Sequence, residues 1–151
     1  KIIGDGVLKQ ELENFVSINK LSNIEFSGKI SHSQVMDELT KAHILVAPSR
    51  EEAMSLVVLE AISCGVYVIA TAISGNNELI EEGVNGDFVA YDQPTQIAQK
   101  ISAFYNDKFL KDYQYPSLVL QNLYQNYSWK NTAEKYLSLF SAAINTNSKL
   151  L

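Results

Sequence analysis

The feature that most constrains the fold is the regular alternation of short apolar runs with amphipathic segments. Five runs have the length and composition of strands: Lys1–Ile3, Ile24–Ser27, Ile44–Ala47, Tyr67–Thr71 and Asp87–Ala90. Between them, apolar residues recur at helical spacing. Strands that alternate with helices of about ten residues form βαβ units with parallel pairing. The alternation therefore predicts an α/β fold, with a parallel sheet covered by helices on both faces.

The helical segments are predicted in seven places along the chain. Five follow strands, at residues 8–16, 35–42, 56–63, 78–82 and 97–104. Two more close the chain, Pro116–Asn126 and Trp129–Asn145, and Ser128 is a suitable N-cap between them. No repeat or low-complexity linker interrupts the pattern. We therefore expect residues 1–151 to form a single domain.

Composition excludes several function classes. The net charge of −5 and the pI near 5.0 disfavour a nucleic-acid surface, which needs clustered Lys and Arg. No apolar run reaches the ~20 residues of a membrane span, and no signal peptide is visible. The single cysteine, Cys64, cannot form an internal disulfide, which favours a reducing cytoplasm. We therefore expect a cytoplasmic protein, whose full-length form is at most peripheral at the membrane. Because Lys1 begins a strand without an initiator Met, we expect a fragment of a longer protein.

Ligands of open parallel sheets bind at the carboxyl ends of the strands. Four loops are expected to meet at that edge: Gly4–Gly6, Gly28–Ile30, Pro48–Ser55 and Ala72–Asn76. The first contains Gly-x-Gly, but Lys9 occupies the place of the third glycine of the dinucleotide fingerprint. A tight turn into a helix explains it better, and a dehydrogenase is disfavoured.

The loop Pro48–Ser55 carries the stronger signal. Ser55 can cap the helix that starts at Leu56, and a helix N-terminus with free N–H groups suits a phosphate. Glu52 would repel that phosphate at close range, so it should face neutral hydroxyls. Glu60 lies in an otherwise apolar helix, where an ionised side chain needs a polar partner such as a ribose. The alternative is that both glutamates are solvated surface residues.

The stretch PSREEAMSLVVLEAISCGVYVIAT resembles the donor-site signature of retaining glycosyltransferases of family 4, which have the GT-B fold. Glu52 and Glu60 match the two glutamates of that signature, with seven residues between them. The other matching positions are Pro48, Ser49, Ala61, Gly65, Val68, Ile69 and Ala70. The segments IIGDG, IEFSGKISHSQVMDELTKAHILVAPS and SGNNELIEEGVNGDFV are also similar to the family, so the resemblance covers about residues 1–105.

The resemblance implies a Rossmann-like, carboxyl-terminal domain that binds a nucleotide-diphospho-sugar. It assigns the catalytic position to Glu52, which would contact hydroxyls of the transferred sugar. The donor-binding positions would be the backbone of Ser55 and Leu56 for the pyrophosphate, Glu60 for the ribose, and the backbone of Lys29 and Ile30 for the base.

No cofactor and no metal is expected, because the sequence has no Asp-x-Asp motif and His32 and His43 lack partners at metal-ligand spacing. The acceptor, a glycan or a glycolipid, would bind a missing amino-terminal domain, in polysaccharide or glycolipid synthesis. The family's phosphate-binding Arg and Lys would also lie before Lys1. We therefore expect the chain to be inactive alone.

The sequence departs from the family pattern in two places. Ala53, Met54 and Ser55 replace Gly-Phe-Gly, which makes the loop stiffer, and Tyr67 stands where proline is common. Two other functions stay open: half of a nucleotide-sugar epimerase, or a non-catalytic module that binds a nucleotide or docks a partner through tyrosines near its end.

Overall fold

The computed structural model describes residues 1–147, with the side chains of residues 1–144. The chain has an α/β fold in which every paired strand is parallel to its neighbour, as the sequence predicts. Contacts divide it into two compact units, Lys1–Ala42 and the part from His43 onward. The strands form one sheet in each unit, where the sequence predicted a single sheet. A single domain stays a prediction.

The first unit contains β1 (Ile2–Ile3), α1 (Lys9–Ile18), β2 (Phe26–Gly28) and α2 (His32–Leu39). Ile2 lies opposite Phe26 in the parallel pair. The Ile2 N–H donates to the Glu25 carbonyl at 2.7 Å, next to the first paired residue, Phe26. The strand β2 therefore starts at Phe26, two residues later than the predicted Ile24. The start of α2 is fixed by a capping box, in which Ser31 and Gln34 bond each other's backbone N–H groups.

The second unit is built on a three-stranded sheet of order β3-β4-β5. Its elements are β3 (Ile44–Ala47), α3 (Leu56–Ser63), β4 (Tyr67–Thr71), α4 (Ser74–Asn77), β5 (Gly86–Val89), α5 (Pro94–Ala103), α6 (Ser117–Tyr127) and α7 (Trp129–Asn147). The predicted bounds of β3, α3 and β4 are confirmed, and β5 lies one residue earlier than predicted. Ser128 accepts the Asn131 N–H at 3.3 Å, which confirms it as the cap of α7.

The centre of this unit is β4, whose five residues are all buried between two parallel neighbours. Its near-continuous apolar sequence is what a strand covered on both faces requires. Val58, Ala61 and Ile62 of α3 are fully buried, and α3 packs on β4. Gly65 has φ of +75°, the left-handed conformation that ends a helix, as the sequence indicates.

The predicted helix at Glu78–Glu82 is wrong, because α4 occupies Ser74–Asn77 and ends before it. The buried Asn85 explains the change. Its side-chain oxygen accepts the Glu81 N–H at 2.8 Å, and its amide donates to the Leu79 carbonyl at 3.0 Å. An asparagine that bonds these backbone groups replaces the bonds of a helix. The segment instead forms a turn that leads into β5.

Aromatic rings pack against β4 after α5. The Tyr67 ring lies 4.7 Å from that of Phe104 and 5.8 Å from that of Tyr113, centroid to centroid. Burial raises the pKa of Tyr113 to about 12. Tyr115 contacts Tyr113 at 6.2 Å, whereas Tyr124 is 76% exposed. The tyrosines near the chain's end are thus divided between core and surface.

Candidate functional site

The predicted ligand loop, residues 48–55, joins β3 to α3 and borders an open cleft. The cleft has a volume of about 490 Å³ and is lined by Arg50, Glu51, Glu52, Ala53, Ile73 and Ser74. Ile73 and Ser74 follow the neighbouring strand β4. Because β3 and β4 are parallel, both loops leave the carboxyl edge of the same sheet. The structure therefore brings the loops after β3 and β4 together, as predicted for this edge.

Glu52 is a cleft residue whose side-chain hydrogen bonding is incomplete within the described part of the chain. Its side chain is partly buried, and its Oε2 atom is shielded from solvent with no hydrogen-bond partner among the described residues. A buried carboxylate oxygen without a donor is costly, so it requires a hydrogen-bond donor, which a water molecule or a ligand can supply. Glu52 is therefore the strongest candidate in the cleft for contact with a hydroxyl-bearing ligand.

Ser55 stands at the N-cap position of α3, but its hydroxyl does not cap the helix. The residue is fully buried, and its Oγ atom has no hydrogen-bond partner in the described part of the chain. The first intrahelical bond runs from the Leu59 N–H to the Ser55 carbonyl at 3.1 Å. Helix geometry leaves the amides of Leu56, Val57 and Val58 without intrahelical acceptors. The expected side-chain cap is wrong, whereas the free helix end is present.

The remaining donor-binding candidates of α3 differ in exposure. Leu56 is 65% exposed, so the first residue of the helix is accessible. Glu60 is partly buried on the same helix, and its carbonyl accepts the Ser63 hydroxyl at 2.7 Å. Neither residue lines the 490 Å³ cleft that contains Glu52. Their predicted contacts with pyrophosphate and ribose stay predictions.

Lys29 and Ile30 follow β2 in the first unit. Lys29 is exposed and Ile30 is partly buried. The preceding loop of that unit reaches them, since the Gly4 N–H donates to the Gly28 carbonyl at 2.9 Å. Gly28 itself has φ of +65°, which favours glycine at this turn. The turn after β1 and the turn after β2 therefore meet within this unit, and the role of Lys29 and Ile30 at a base stays a prediction.

Arg50 and Ser74 lie in the two loops that were predicted to meet at this edge, but sequence reasoning gave neither residue a role in the cleft that they line. Arg50 lies between the proline turn and the two glutamates, and a cation at that place in a strand-to-helix loop was an available signal. Ser74 carries no such signal, because its place beside Glu52 depends on which strand neighbours β3. Among residues 1–147, no group of three His, Cys, Asp or Glu side chains is arranged for a metal ion.

The family described as glycosyl transferases group 1 matches residues 1–107. An uncharacterized glycosyltransferase of Methanocaldococcus jannaschii, MJ1178, is 38% identical over 111 residues, which are 74% of this chain and 32% of that protein. The chain thus spans about a third of the length of that relative. The part of the chain that the structure describes contains no helix able to cross a membrane.

Solved structures of TarM and HepE are among those that resemble the chain over most of its length. Staphylococcus aureus TarM, solved as a mutant with fondaparinux, α-GlcNAc-glycerol and UDP, has a TM-score of 0.78 and 26% identity, over 92% of this chain and 28% of TarM. Anabaena Alr3699/HepE, solved with UDP-glucose, has a TM-score of 0.77 and 21% identity, over 93% of this chain and 40% of HepE. The second likeness establishes the fold alone, which is that of GT-B glycosyltransferase structures.

Proposed function

Because the chain belongs to the glycosyl transferases group 1 family, we propose that it is the carboxyl-terminal, donor-binding part of a retaining family 4 glycosyltransferase. The complete enzyme transfers a sugar from a nucleotide-diphospho-sugar to a glycan or glycolipid acceptor, in polysaccharide or glycolipid synthesis. The observation that carries the proposal is Glu52, whose buried Oε2 atom lacks a partner in the described part of the chain and whose side chain lines the cleft.

Glu52 fits the sugar end of such a donor. A carboxylate accepts hydrogen bonds from several hydroxyl groups at once, and charge-assisted bonds of this kind are about twice as strong as neutral ones. The carboxylate would repel a phosphate at the same place. In this proposal Glu52 therefore orients the transferred sugar, and the pyrophosphate lies farther along, toward α3.

The N-terminus of α3 fits the pyrophosphate. The amides of its first turn precede the first intrahelical bond, and aligned peptide dipoles place about half a positive charge there. The buried Ser55 hydroxyl, which lacks a partner among the described residues, adds a donor beneath that end. Glu60, on the same helix, would accept bonds from the ribose hydroxyls.

The proposed transfer reaction breaks one bond of the donor and forms one bond to the acceptor. The bond between the sugar C1 and the β-phosphate oxygen breaks, and its electron pair leaves with the nucleoside diphosphate. A new bond forms between C1 and the acceptor hydroxyl oxygen, whose proton is released. Negative charge accumulates on the leaving phosphate, where free N–H groups at a helix end stabilise it. The proposal includes no metal or other cofactor, and it places the complete enzyme in the cytoplasm, at most peripheral to the membrane.

The test is an NMR titration of the ¹⁵N-labelled 151-residue chain with UDP, GDP and ADP, and then with the matching sugar nucleotide. UDP comes first because TarM, a similar protein, was solved with it. We expect saturable shifts at residues 52–60 with one nucleoside diphosphate. Glu60→Gln should weaken binding of that nucleotide with or without its sugar, because the ribose is present in both.

Glu52→Gln should discriminate between the two ligands. It removes a charge-assisted contact with the sugar alone, so affinity for the sugar nucleotide should fall about five- to tenfold while affinity for the nucleoside diphosphate stays within twofold. Glu51→Gln is the matched control, since it removes the same charge from an exposed neighbour on the same cleft. Equal losses in both variants, or shifts centred away from residues 52–60, contradict the assignment and favour a different binding module.

A further inference from the structure

We propose that Gly75 is a positioning residue for the loop that carries Glu52, an inference that rests on the proposed donor site. Gly75 lies in α4, on the loop that follows β4, and is buried. Its missing side chain lets the backbone of α4 approach the backbone of Ala53 and Met54. The β3–α3 loop, residues 48–55, is thereby held in the shape that presents Glu52 to the cleft.

The evidence is the space around Gly75. A Cβ atom built there would lie 2.5 Å from the Ala53 carbonyl oxygen and 2.7 Å from Met54 Cα. Real Cβ atoms essentially never approach a heavy atom closer than 3.0 Å. Both obstructing atoms belong to the backbone, so no side-chain rotation relieves the overlap. The φ angle of Gly75 is not in the left-handed region, so the glycine is required by close approach and not by conformation.

A second contact holds the same loop at its other end. The Thr71 hydroxyl donates to the Ser49 carbonyl at 2.5 Å, and the Asn76 amide donates to the Thr71 carbonyl at 2.9 Å. Thr71 and Asn76 are both buried. The loop is therefore fixed near Ser49 by a hydrogen bond and near Ala53 by close packing against Gly75. Glu52 lies between these two points.

The size of the required shift indicates a functional effect. Increasing the distance to the Ala53 oxygen from 2.5 Å to the 3.0 Å limit requires α4 and the β3–α3 loop to separate by at least 0.5 Å, next to Glu52 and two residues before Ser55. Ligand contacts need groups placed within about 0.5 Å, and a misplacement of ~1 Å costs up to ~100-fold. We expect Gly75→Ala to weaken binding of the nucleotide by about tenfold or more.

The chain offers a matched control in Gly86, the first residue of β5. A Cβ atom there would lie 2.4 Å from the Val68 carbonyl oxygen and 2.9 Å from Ile80 Cγ2. The overlap is as severe as at Gly75, but it falls between β4 and β5 and none of its three nearest atoms belongs to residues 48–55. Gly86→Ala therefore imposes a similar steric penalty on the fold without pushing on the Glu52 loop.

The experiment measures three properties of the wild-type chain, Gly75→Ala and Gly86→Ala. They are stability to urea, amide chemical shifts without ligand, and affinity for the nucleoside diphosphate that the wild-type chain binds. Gly75→Ala should move the amide signals of residues 49–56 and lose at least tenfold in affinity. Gly86→Ala should lose as much stability or more, and yet keep affinity within threefold. Thr71→Val tests the same loop from its other end if Gly75→Ala does not fold.

Each outcome bears on one of the two proposals separately. If the ligand-free signals of residues 49–56 are unchanged in Gly75→Ala, or if the two glycine variants lose affinity in proportion to stability, the positioning role is refuted. If the wild-type chain binds no nucleoside diphosphate, the donor-site proposal fails instead. The amide chemical shifts of residues 49–56 without ligand then still decide whether Gly75 determines the conformation of the loop.

Discussion

Tyr67→Phe tests the polar network under the central strand. The fully buried Tyr67 hydroxyl lies 3.1 Å from the Gly86 carbonyl oxygen and 3.0 Å from Asp87 Oδ2. Asp87 is in turn paired with Lys100, whose Nζ lies 2.9 Å from Oδ1. Phenylalanine keeps the ring, and with it the packing on Phe104, because only the hydroxyl is removed. The substitution therefore isolates the hydrogen bonds of that hydroxyl.

The expected loss of unfolding free energy depends on which hydrogen bonds the two acceptors retain in Tyr67→Phe. The Gly86 carbonyl still accepts the Gly83 N–H at 2.8 Å, so it is not left without a partner. Asp87 Oδ2 loses a donor, and a hydrogen bond to a charged group is worth about 1.5–3 kcal/mol. Because Asp87 keeps Lys100 and its side chain is 14% exposed, we expect the lower half of that range. Tyr67→Phe should reduce the free energy of unfolding by about 1.5–2 kcal/mol.

The same hydroxyl makes stability depend on alkaline pH. Burial, and next the neighbouring Asp87 charge, raise the pKa of Tyr67 above its usual value. In the unfolded chain a tyrosine ionises near pH 10, whereas the native Tyr67 stays protonated, so the native state binds more protons above that pH. The stabilising effect is thus fully present below pH ~10 and is lost as pH rises, by about 1.4 kcal/mol per pH unit.

Urea unfolding followed by circular dichroism measures both effects. At pH 7 the Tyr67→Phe chain should be less stable, and the difference from wild type should shrink between pH 10 and 11. Tyr91→Phe is the control, since Tyr91 is 56% exposed, and it should change stability by less than about 0.5 kcal/mol. A loss below 0.5 kcal/mol for Tyr67→Phe at pH 7, or an unchanged difference at pH 11, refutes the reasoning.

Two further predictions concern the cap of α2 in the first unit and the Lys100–Asp87 ion pair in the second. Ser31→Ala removes the capping box with Gln34 and should cost about 0.5–2 kcal/mol, measured by urea unfolding, and a neutral result would show that α2 does not depend on this cap. Lys100→Met breaks the partly buried pair with Asp87 and should lower the thermal midpoint by several degrees. Lys111→Met is its control, because Lys111 pairs with Asp107 and both side chains are exposed. Equal shifts of the thermal midpoint in the two variants would contradict the importance of burial.

Sequence reasoning succeeded where local signals agree. The bounds of β3, α3 and β4 were predictable because Pro48 interrupts the pattern after one strand and Gly65 ends the following helix in the left-handed conformation. Ser128, the predicted cap, bonds the backbone N–H of Asn131, three positions away. Each of these signals acts within a few residues, so the amino-acid sequence alone is sufficient to recognise it.

Two failures involve side-chain hydrogen bonds that the hydrophobic pattern does not reveal. Glu78–Glu82 has a helical pattern, but the Asn85 side chain takes up the Glu81 N–H. Ser55 has the right residue type for a cap, but its buried hydroxyl makes no capping bond. The family pattern indicates Glu52 as a site residue, yet its buried, unpartnered oxygen in the described structure becomes visible only when the loops after β3 and β4 are packed.

The sequence by itself determined the alternation of strands and helices, the parallel α/β class, and the two glutamates that resemble a donor site. These depend on periodicity, turn residues and spacing, which are local. Tertiary structure alone decided that β4 lies between β3 and β5, that Gly75 packs against Ala53, and that Tyr67 bonds across to β5. Such contacts join residues about twenty positions apart, and their energy depends on burial that no short stretch of sequence specifies.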